Sequence, residues 1–567
     1  MSSLRPSHGW SKRVTDRPKF LDSMRVSPLQ RSVSRRLTSP HDCAGPPGKW
    51  VHALCETNRR TAVRSTTQLT QRPSSRSFRR SSVFIMMARS NCDVRIGQTS
   101  AVHFASELLA SVAGFMATLY IARELGSGAL GTYALFVAVL IWLKTIFGSG
   151  LHQAITKRVS EADVGSAYFG AGILVQAAVF VCLVAGLVLT RPYLNDYLGF
   201  QGTTLLVVAL AGILVYALVS AMLHGAEKVH LAALLQPLNR VVRSGVQLAV
   251  VFLGIIGGSI AGLVWGYVAG ASVAAVAGAL LLSLRPTVPS REELASLLEF
   301  TRYSWLSGIE GRSFSAMDTV VLGLFVTSSF IGYYEVAWNL ASLLAIFGNS
   351  IAESLFPTIS KLDSNAEYAT IRNLVSNGLA YTGLFLIPGF VGVLFIGETV
   401  LGIYGSEFRQ ATTVLAILVA ARLIYAYEAQ FVMMLNALDH PDVAFRVNVL
   451  FVVANIILNL VLVSIYGWVG AAVGTALAAL VGLVSAYYAL ADRITVQIPL
   501  GELSRQFAAA GVMGVALYPF KDLLLGLVQK PIPEALVLVG FGAAVYFCVL
   551  TVLSAHFRTT IQDNISP

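Results

Sequence analysis

The sequence has few charged residues for its length. Charged side chains make up 13% of the 567 residues and hydrophobic side chains 55%, and the mean hydropathy is +0.68. Average soluble chains carry about 25% charged residues. This scarcity of charge excludes an ordinary soluble protein, so the chain is predicted to be an integral membrane protein.

Cysteine is also scarce, and its placement excludes two classes of site. The five cysteines are Cys43, Cys55, Cys92, Cys182 and Cys548, with no C-x-x-C pair and no histidine cluster. Zinc sites and disulfide frameworks need closely spaced or paired residues. Nucleophile elbows and glycine-rich phosphate loops are missing as well. We therefore expect no metal, no cofactor and no enzymatic activity.

The positive charge is concentrated in residues 1–90. This tail holds eighteen basic residues against four acidic ones, so the rest of the chain is near −3 of the total +11. Three interpretations stay open for the tail. The first is a disordered cytoplasmic arm that touches anionic lipids, and the second is an organelle transit peptide. The third is that the tail is encoded upstream of the true start codon, which would then be at Met86 or Met87.

Beyond residue 98 the sequence consists of apolar stretches separated by short polar turns. A helix needs about 20 apolar residues to cross a bilayer. About fourteen such helices are predicted, over residues 98–121, 129–147, 167–189, 202–223, 231–253, 259–284, 300–326, 329–356, 373–397, 411–436, 441–465, 469–491, 505–527 and 533–556.

An internal duplication organises these spans. The Gly-rich turn at 122–136 is echoed at 322–334, where Gly131 aligns with Gly332 at an offset of 201. Each half holds six spans, and an even number returns the chain to the same side, so the two repeats are parallel. We expect an all-α polytopic membrane protein. Its parts are an N-lobe at 95–284, a linker at 285–299, a C-lobe at 300–493 and an added helical hairpin within 494–567.

Two further features set the linker and the orientation. Ser290 and Glu293 form a capping-box pattern, so the linker is either a short helix on the membrane surface or the start of the next span. Lys and Arg in the connections are more than twice as frequent on one side as on the other. The side richer in Lys and Arg is normally the cytoplasmic one. Both termini are therefore predicted to be cytoplasmic.

Polar side chains follow one face of several spans. Those of the fifth span are Gln236, Arg240, Arg243 and Gln247, and those of its counterpart, the eleventh, are Asn448, Asn455 and Asn459. Lipid would not tolerate such a stripe, so each faces protein or a water-filled cavity. Two arginines with no acidic residue within a helical turn suit a phosphate or pyrophosphate. Structural ion pairs between helices are the alternative.

The first and seventh spans carry polar residues at equivalent positions. The offset of 201 places His103 and Glu107, among others, over a face of the seventh span that includes Arg312. Further charged residues inside spans are Lys144, Glu310, Asp318, Glu335, Glu353, Arg422 and Glu428. Intramembrane charges are costly and mark functional sites or buried pairs.

These motifs resemble those of the polysaccharide and lipid-linked oligosaccharide flippases of the multidrug/oligosaccharidyl-lipid/polysaccharide (MOP) exporter superfamily. The resemblance is carried by Ala122-Arg-Glu-Leu-Gly126, Gly131-Thr-Tyr-Ala-Leu-Phe136, Gly332-Tyr-Tyr334, Leu355-Phe-Pro-Thr-Ile-Ser-Lys361 and Gly467-Trp-Val-Gly-Ala-Ala472, and it covers about 98–493. It implies two six-helix bundles around a central cavity. That cavity alternates between inward-open and outward-open states in the cell membrane.

The resemblance also implies a substrate and residue roles. The substrate is a polyprenyl or dolichyl (pyro)phosphate that carries an oligosaccharide, with Arg240, Arg243 and Arg312 holding the phosphate. Glu107 and Glu310 are candidates for ion coupling. The implied partners are membrane lipids and the polymerase or glycosyltransferases of the same pathway, with no nucleic acid, and the protein is expected to be monomeric. The alternatives are a drug/cation antiporter of the same fold and a membrane glycosyltransferase or polymerase.

Overall fold

A computed structural model describes residues 78–161, 165–254, 260–282, 284–304, 309–364, 368–525 and 530–565. For 78–111 and for some other helical residues, among them 303–304, 309–310 and 347–354, it describes the backbone alone. Contacts divide the chain into a unit of residues 1–92 and a unit of residues 93–567. The first unit is described only as helical backbone from Phe78, so residues 1–77 of the predicted tail lie outside the described part. The side chains that the structure describes all belong to the second unit, from Val112 onwards.

Every regular element in the described residues is a helix. We number the α-helices as follows: α1 Phe78–Glu161, α2 Gly165–Leu189, α3 Arg191–Leu198, α4 Thr203–Gly225, α5 Val229–Leu253, α6 Ile260–Leu281, α7 Arg291–Ser304, α8 Ile309–Phe325, α9 Ser328–Ser364, α10 Tyr368–Gly402, α11 Thr412–Ala437, α12 Pro441–Ala491, α13 Leu500–Leu525, α14 Pro531–Leu553 and α15 Ala555–Ile565. A 3-10 segment, Ser406–Ala411, joins α10 to α11.

Two glycines interrupt the longest helices at the predicted turns. Gly126 in α1 has φ 76° and Gly467 in α12 has φ 59°. Glycine adopts positive φ without steric cost, so the chain bends sharply at these points. Each of these helices therefore contains two of the predicted spans.

Nine helices among the described residues are long and apolar enough to cross a membrane. This set includes α1 and α12, which contain two predicted spans each, but not α5, α8 or α9. The polar stripe of α5 lowers its hydropathy, and only 17 residues of α8 are described. The all-α membrane fold is confirmed, whereas the count of fourteen spans and the lobe boundaries stay predictions.

The linker is helical from Arg291, and the described helix, α7, extends to Ser304. The amide of Glu293 bonds to Ser290 Oγ at 3.4 Å, and the amide of Ser290 bonds to the Glu293 carboxylate, so the predicted capping box is formed. α7 packs against α2, with Leu297 fully buried between them and their neighbours. We call α1–α6 the first half and α8–α12 the second half.

The two halves meet at the turns of the duplicated motif, which we call the hairpin end. The turn at Gly126 lies against the turn that precedes α9, and a large buried cluster surrounds both, with Phe136, Tyr334 and Phe408 at its centre. The hydroxyl of Tyr197 in α3 donates a hydrogen bond to the carbonyl oxygen of Val320 in α8, at 2.5 Å. The halves are thus tied together at this end.

The last two long helices extend the second half. α13 and α14 pack on each other and on α10. The rings of Phe520 and Phe541 stack with centroids 3.9 Å apart. Gln506 of α13 donates to the carbonyl of Ala380 in α10 at 2.7 Å, which fixes the position of α13 along α10.

Candidate functional site: a cation-lined cavity between the halves

A cavity of about 750 Å³ lies between α1, α4, α5 and α8. Arg312 of α8 comes from the second half, whereas the other lining residues belong to the first. The basic residues of the lining are Lys144, His152, Lys157, His224 and Arg312. Within the described part of the chain, no aspartate or glutamate lines this cavity. A cleft lined by one sign of charge concentrates ligands of the opposite sign, so this cavity suits an anion.

The cations differ in how they are held. Lys157 lies 3.8 Å from the Glu161 carboxylate and 4.8 Å from the centroid of the Phe300 ring, so it is fixed near the end of α1. Lys144 and Arg312 lie within electrostatic range of each other across the cavity. Among the described residues, neither forms an ion pair with a carboxylate. Two like charges facing one space are stabilised by a bound anion.

The α1 wall of the cavity also carries uncharged polar side chains between and beside its basic residues. The residues Thr145, Ser149, Gln153, Thr156 and Ser160 repeat at helical spacing and line the cavity together. Thr156 Oγ1 bonds to carbonyls of His152 at 3.0 Å and Ala221 at 3.2 Å, which anchors α1 to α4. Hydroxyl and amide groups of this kind both donate and accept hydrogen bonds, as sugar hydroxyls do.

The predicted stripe on α5 divides along its length. Gln236 lines the cavity. Gln247 is buried and donates to Tyr133 Oη at 2.6 Å and to the carbonyl of Leu263 at 3.0 Å. The Arg243 guanidinium lies 5.2 Å from the centroid of the Tyr267 ring. The far end of the stripe therefore contacts α1 and α6 rather than the cavity.

Close packing of α6 explains this division. A Cβ added to Gly266 would lie 2.5 Å from Gln247 Cγ, and one added to Gly270 would lie 2.6 Å from the carbonyl oxygen of Asn239. The missing side chains let α5 approach closely enough for Tyr267 to cover Arg243. Arg240 and Arg243 are not among the residues that line the cavity, so phosphate binding by this pair stays a prediction.

A second polar cluster lies buried in the second half. Thr475 Oγ1 is 2.7 and 2.8 Å from the two carboxylate oxygens of Asp318, and the Tyr334 hydroxyl donates to the same carboxylate. Asn459 Nδ2 is 3.5 Å from Thr475 Oγ1. All four residues are at most 3% exposed. An isolated buried carboxylate is costly, so this one is compensated by hydroxyl donors.

The predicted asparagine stripe contributes two of its three members to this region. Asn455 and Asn459 are fully buried, and Ser313 Oγ donates to Asn455 Oδ1 at 3.1 Å. Asn448, about two turns earlier on α12, is half-buried and has an Oδ1 atom without a hydrogen-bond partner among the described residues. Sequence reasoning named Asp318 without its partners. The sequence feature that could have pointed to Tyr334 as a partner of Asp318 was its place in the duplicated turn.

A half-buried arginine lies close to this cluster. The Arg422 guanidinium is 4.0 Å from the ring centroid of Trp338 and 4.9 Å from that of Phe314, and its Nη2 bonds to Ser342 Oγ. Aromatic faces stabilise a desolvated cation by about 2 kcal/mol. Arg422 and Asp318 interact electrostatically, so the second half contains both signs of charge near its centre.

Three predicted site residues lie outside the described side chains. His103 and Glu107 belong to α1, and Glu310 to α8, but only their backbone is described. The structure leaves their proposed roles untested.

Similar proteins identify the family. A profile described as "Polysaccharide biosynthesis protein" matches residues 96–363. The chain is 33% identical over 477 residues to the probable flippase AglR of Haloferax volcanii, and the match covers 83% of this chain and 99% of that protein. The chain belongs to the polysaccharide flippase family of the MOP superfamily. A second relative is the probable low-salt glycan biosynthesis flippase Agl15 of the same organism, 29% identical over 471 residues, covering 83% of this chain and 98% of that protein.

Solved structures show the same fold for this flippase family member. The lipid II flippase MurJ in an inward closed conformation superposes with a TM-score of 0.69 at 16% identity, covering 81% of this chain and 99% of that one. An inward-facing multidrug resistance MATE transporter of the MOP superfamily gives 0.54 at 15% identity, covering 67% and 95%. At such identities these likenesses establish the fold alone.

Proposed function

We propose that this protein moves a lipid-linked oligosaccharide across the membrane, with the lipid (pyro)phosphate bound by Lys144 and Arg312. The observation that carries the proposal is the cavity between the halves, whose described lining contains Lys144, Lys157 and Arg312 and no carboxylate. Arginine binds phosphate oxygens bidentately and lysine supplies a second positive charge. Membership of the flippase family and the names of the relatives support the same substrate class.

The uncharged polar side chains of α1 are the basis for the sugar-binding part of this proposal. Their hydroxyl and amide groups run along α1 from Thr145 to Ser160, fifteen residues apart, which is about 22 Å of helix. A glycan attached to the phosphate bound near Lys144 would lie along this wall. The cavity thus provides a charged point for the phosphate and a neutral polar surface for sugars.

The position of the contacts between the halves supports alternating access. The halves touch at the hairpin end, near Gly126. The cavity extends away from it to Ser160, near the C-terminal end of α1. In our proposal the cavity opens to the cytoplasm in this state, with both termini on that side of the cell membrane. Separation of the two halves at the hairpin end then exposes the substrate to the outside.

The alternatives fit the cavity less well. A cavity for cationic drugs would carry acidic residues, and none is among the described lining residues. A glycosyltransferase or polymerase would require carboxylates for metal binding or general-base work near the substrate. We therefore propose a transporter rather than an enzyme.

Asp318 is our candidate for energy coupling. Its carboxylate, in α8, accepts hydrogen bonds from Thr475 Oγ1 of α12 and from the Tyr334 hydroxyl of α9, and all three residues are buried. Such a group can take up a proton or a small hard cation, both of which neutralise the carboxylate. This assignment differs from the predicted one, which placed coupling at Glu107 and Glu310.

Substrate binding by the purified protein tests the phosphate site directly. A fluorescent polyprenyl diphosphate oligosaccharide should bind to the wild type, and Lys144→Ala with Arg312→Ala should weaken binding. The matched control is Arg409→Ala with Lys530→Ala, which removes two cations that do not line the cavity. Equal binding by both double variants would disprove the assignment.

A further inference from the structure

A carboxylate at the hairpin end makes contacts with both halves. Glu407 lies in the 3-10 segment between α10 and α11, in the second half. Its Oε1 accepts a hydrogen bond from the backbone amide of Ser127 in the first half at 3.0 Å. Its Oε2 accepts one from the Tyr333 hydroxyl at 3.4 Å. The carboxylate therefore bridges α1, α9 and the segment it belongs to.

The break in α1 explains why a carboxylate is favourable at this point. The helix restarts at Ser127 after Gly126, and the first amides of a helix have no partner within it. Gly126 has no side chain to cap them. Negative charge is stabilised at a helix N-terminus, so Glu407 does from the other half what a capping side chain does locally.

The equivalent helix start in the second half is that of α9. α9 begins at Ser328, which aligns with Ser127 at the offset of 201. The carbonyl of the preceding residue, Thr327, accepts from the amides of Phe330 and Ile331. In the first half, the amide of Ser127 bonds to Glu407, a side chain of the other half.

A second bond connects the same two regions. Arg123 of α1 donates from Nε to the carbonyl of Ile403, at 2.6 Å. Ile403 lies four residues before Glu407 on the connection between α10 and α11. Any separation of the halves at this end must break both bonds.

We propose that Glu407 is the latch that keeps the hairpin end closed, a positioning residue that sets the balance between the closed and open states of this end. The proposal rests on the alternation of access proposed above, but not on the identity of the substrate. Loss of one capping interaction of this kind shifts an equilibrium about fivefold. Glu407→Ala should therefore increase the open population at the hairpin end by about that factor.

The side chain of Ser127 offers a reporter for this opening. It is 4% exposed, and its bond to Glu407 uses the backbone amide, so Ser127→Cys retains the latch. In full-length protein with all five native cysteines replaced by serine, the rate at which maleimide labels the thiol introduced at position 127 measures opening. In nanodiscs both faces are accessible, so the result does not depend on orientation. Glu407→Ala should raise this rate about fivefold, and Glu407→Gln, which keeps an acceptor, should raise it less.

Two controls separate the latch from general loosening. Glu398→Ala removes another carboxylate at the same end, which pairs with Arg409 of its own half at 3.7 Å, and should leave labelling unchanged. Thr382→Cys, at a position 1% exposed inside the second half, should stay unreactive in the Glu407→Ala background. An unchanged rate at position 127, or an equal rise with Glu398→Ala or at position 382, overturns the proposal. A specific rise at position 127 without any glycan transport would retain the latch and reject the proposed function.

Discussion

Gly131 of α1 lies directly against the backbone carbonyl of Ser328 at the start of α9: a Cβ added to Gly131 would be 1.7 Å from that oxygen. The reciprocal contact joins Gly332 to Ser127, with a corresponding distance of 2.1 Å. Both pairs are related by the offset of 201 between the duplicated turns. The duplicated glycines therefore face each other across a local twofold arrangement. Because they have no side chains, the two backbones can approach closely, and this contact closes the hairpin end.

Gly332→Ala should disrupt this contact. The new methyl group would overlap the Ser127 carbonyl, and overpacking of this kind costs about 1–3 kcal/mol. We expect a lower midpoint in thermal unfolding and faster labelling of the thiol in the Ser127→Cys reporter. Gly128→Ala is the matched control because its nearest neighbour, Ser329 Oγ, would be 3.5 Å away. Equal stability of the two variants would contradict the close approach.

Arg312→Ala and Arg243→Ala should differ in what they impair. Arg312 lines the cavity, and loss of a charged hydrogen bond to the ligand costs about 1.5–3 kcal/mol, or about 10–100-fold in affinity. Arg243 packs on Tyr267 instead, so its loss should lower thermal stability more than it lowers affinity. Titration with the fluorescent lipid-linked substrate, beside thermal unfolding, distinguishes these effects. A larger loss of affinity in Arg243→Ala would favour the sequence-based assignment.

Asp318→Asn should remove the dependence of transport on the coupling ion. The amide has nearly the shape of the carboxylate but carries no charge to attract a proton or cation. Transport in proteoliposomes should respond to imposed sodium or proton gradients in the wild type and to neither in the variant. Asp442→Asn is the control, since Asp442 pairs with Arg446 on the surface at 3.6 Å. A variant that keeps the wild-type ion response would eliminate Asp318 as the coupling residue.

Tyr197→Phe should weaken the hairpin end without touching the cavity. The change removes the bond to the Val320 carbonyl, which keeps its intrahelical partner in α8, so the cost is that of one hydrogen bond, about 0.5–1.5 kcal/mol. The midpoint of thermal unfolding should fall. Tyr193→Phe, on the same short helix but 82% exposed, should behave like the wild type. An unchanged midpoint in Tyr197→Phe would show that this bond contributes little to joining the halves.

Local features of the fold were predictable because their causes are local. Glycine-rich turns broke α1 and α12 at the expected places, and the Ser290–Glu293 pattern formed its capping box. Helical periodicity also placed Gln236 and Gln247 on one face of α5. Which neighbour that face meets depends on how closely α6 approaches, and this varies along the helix. Periodicity therefore could not separate Gln236, in the cavity, from Arg243, under Tyr267.

The contacts that sequence reasoning missed join residues that lie far apart in the chain. Asp318 and Thr475 are separated by 157 positions, and Ser127 and Glu407 by 280. Neither pair is related by the duplication offset, so no repeat or spacing pointed to it. Lys144 was recognised only as a charge inside a span, because its proximity to Arg312 depends on how the halves meet.

A flipping assay in proteoliposomes tests the central claim most directly. Vesicles would contain a fluorescent polyprenyl diphosphate oligosaccharide, and a membrane-impermeant quencher would report the fraction that reaches the opposite leaflet. Our account predicts exchange by the wild type, loss of exchange in Lys144→Ala with Arg312→Ala, and normal exchange in Arg409→Ala with Lys530→Ala. If Lys144→Ala with Arg312→Ala exchanged the substrate as well as the wild type does, this result would contradict our account.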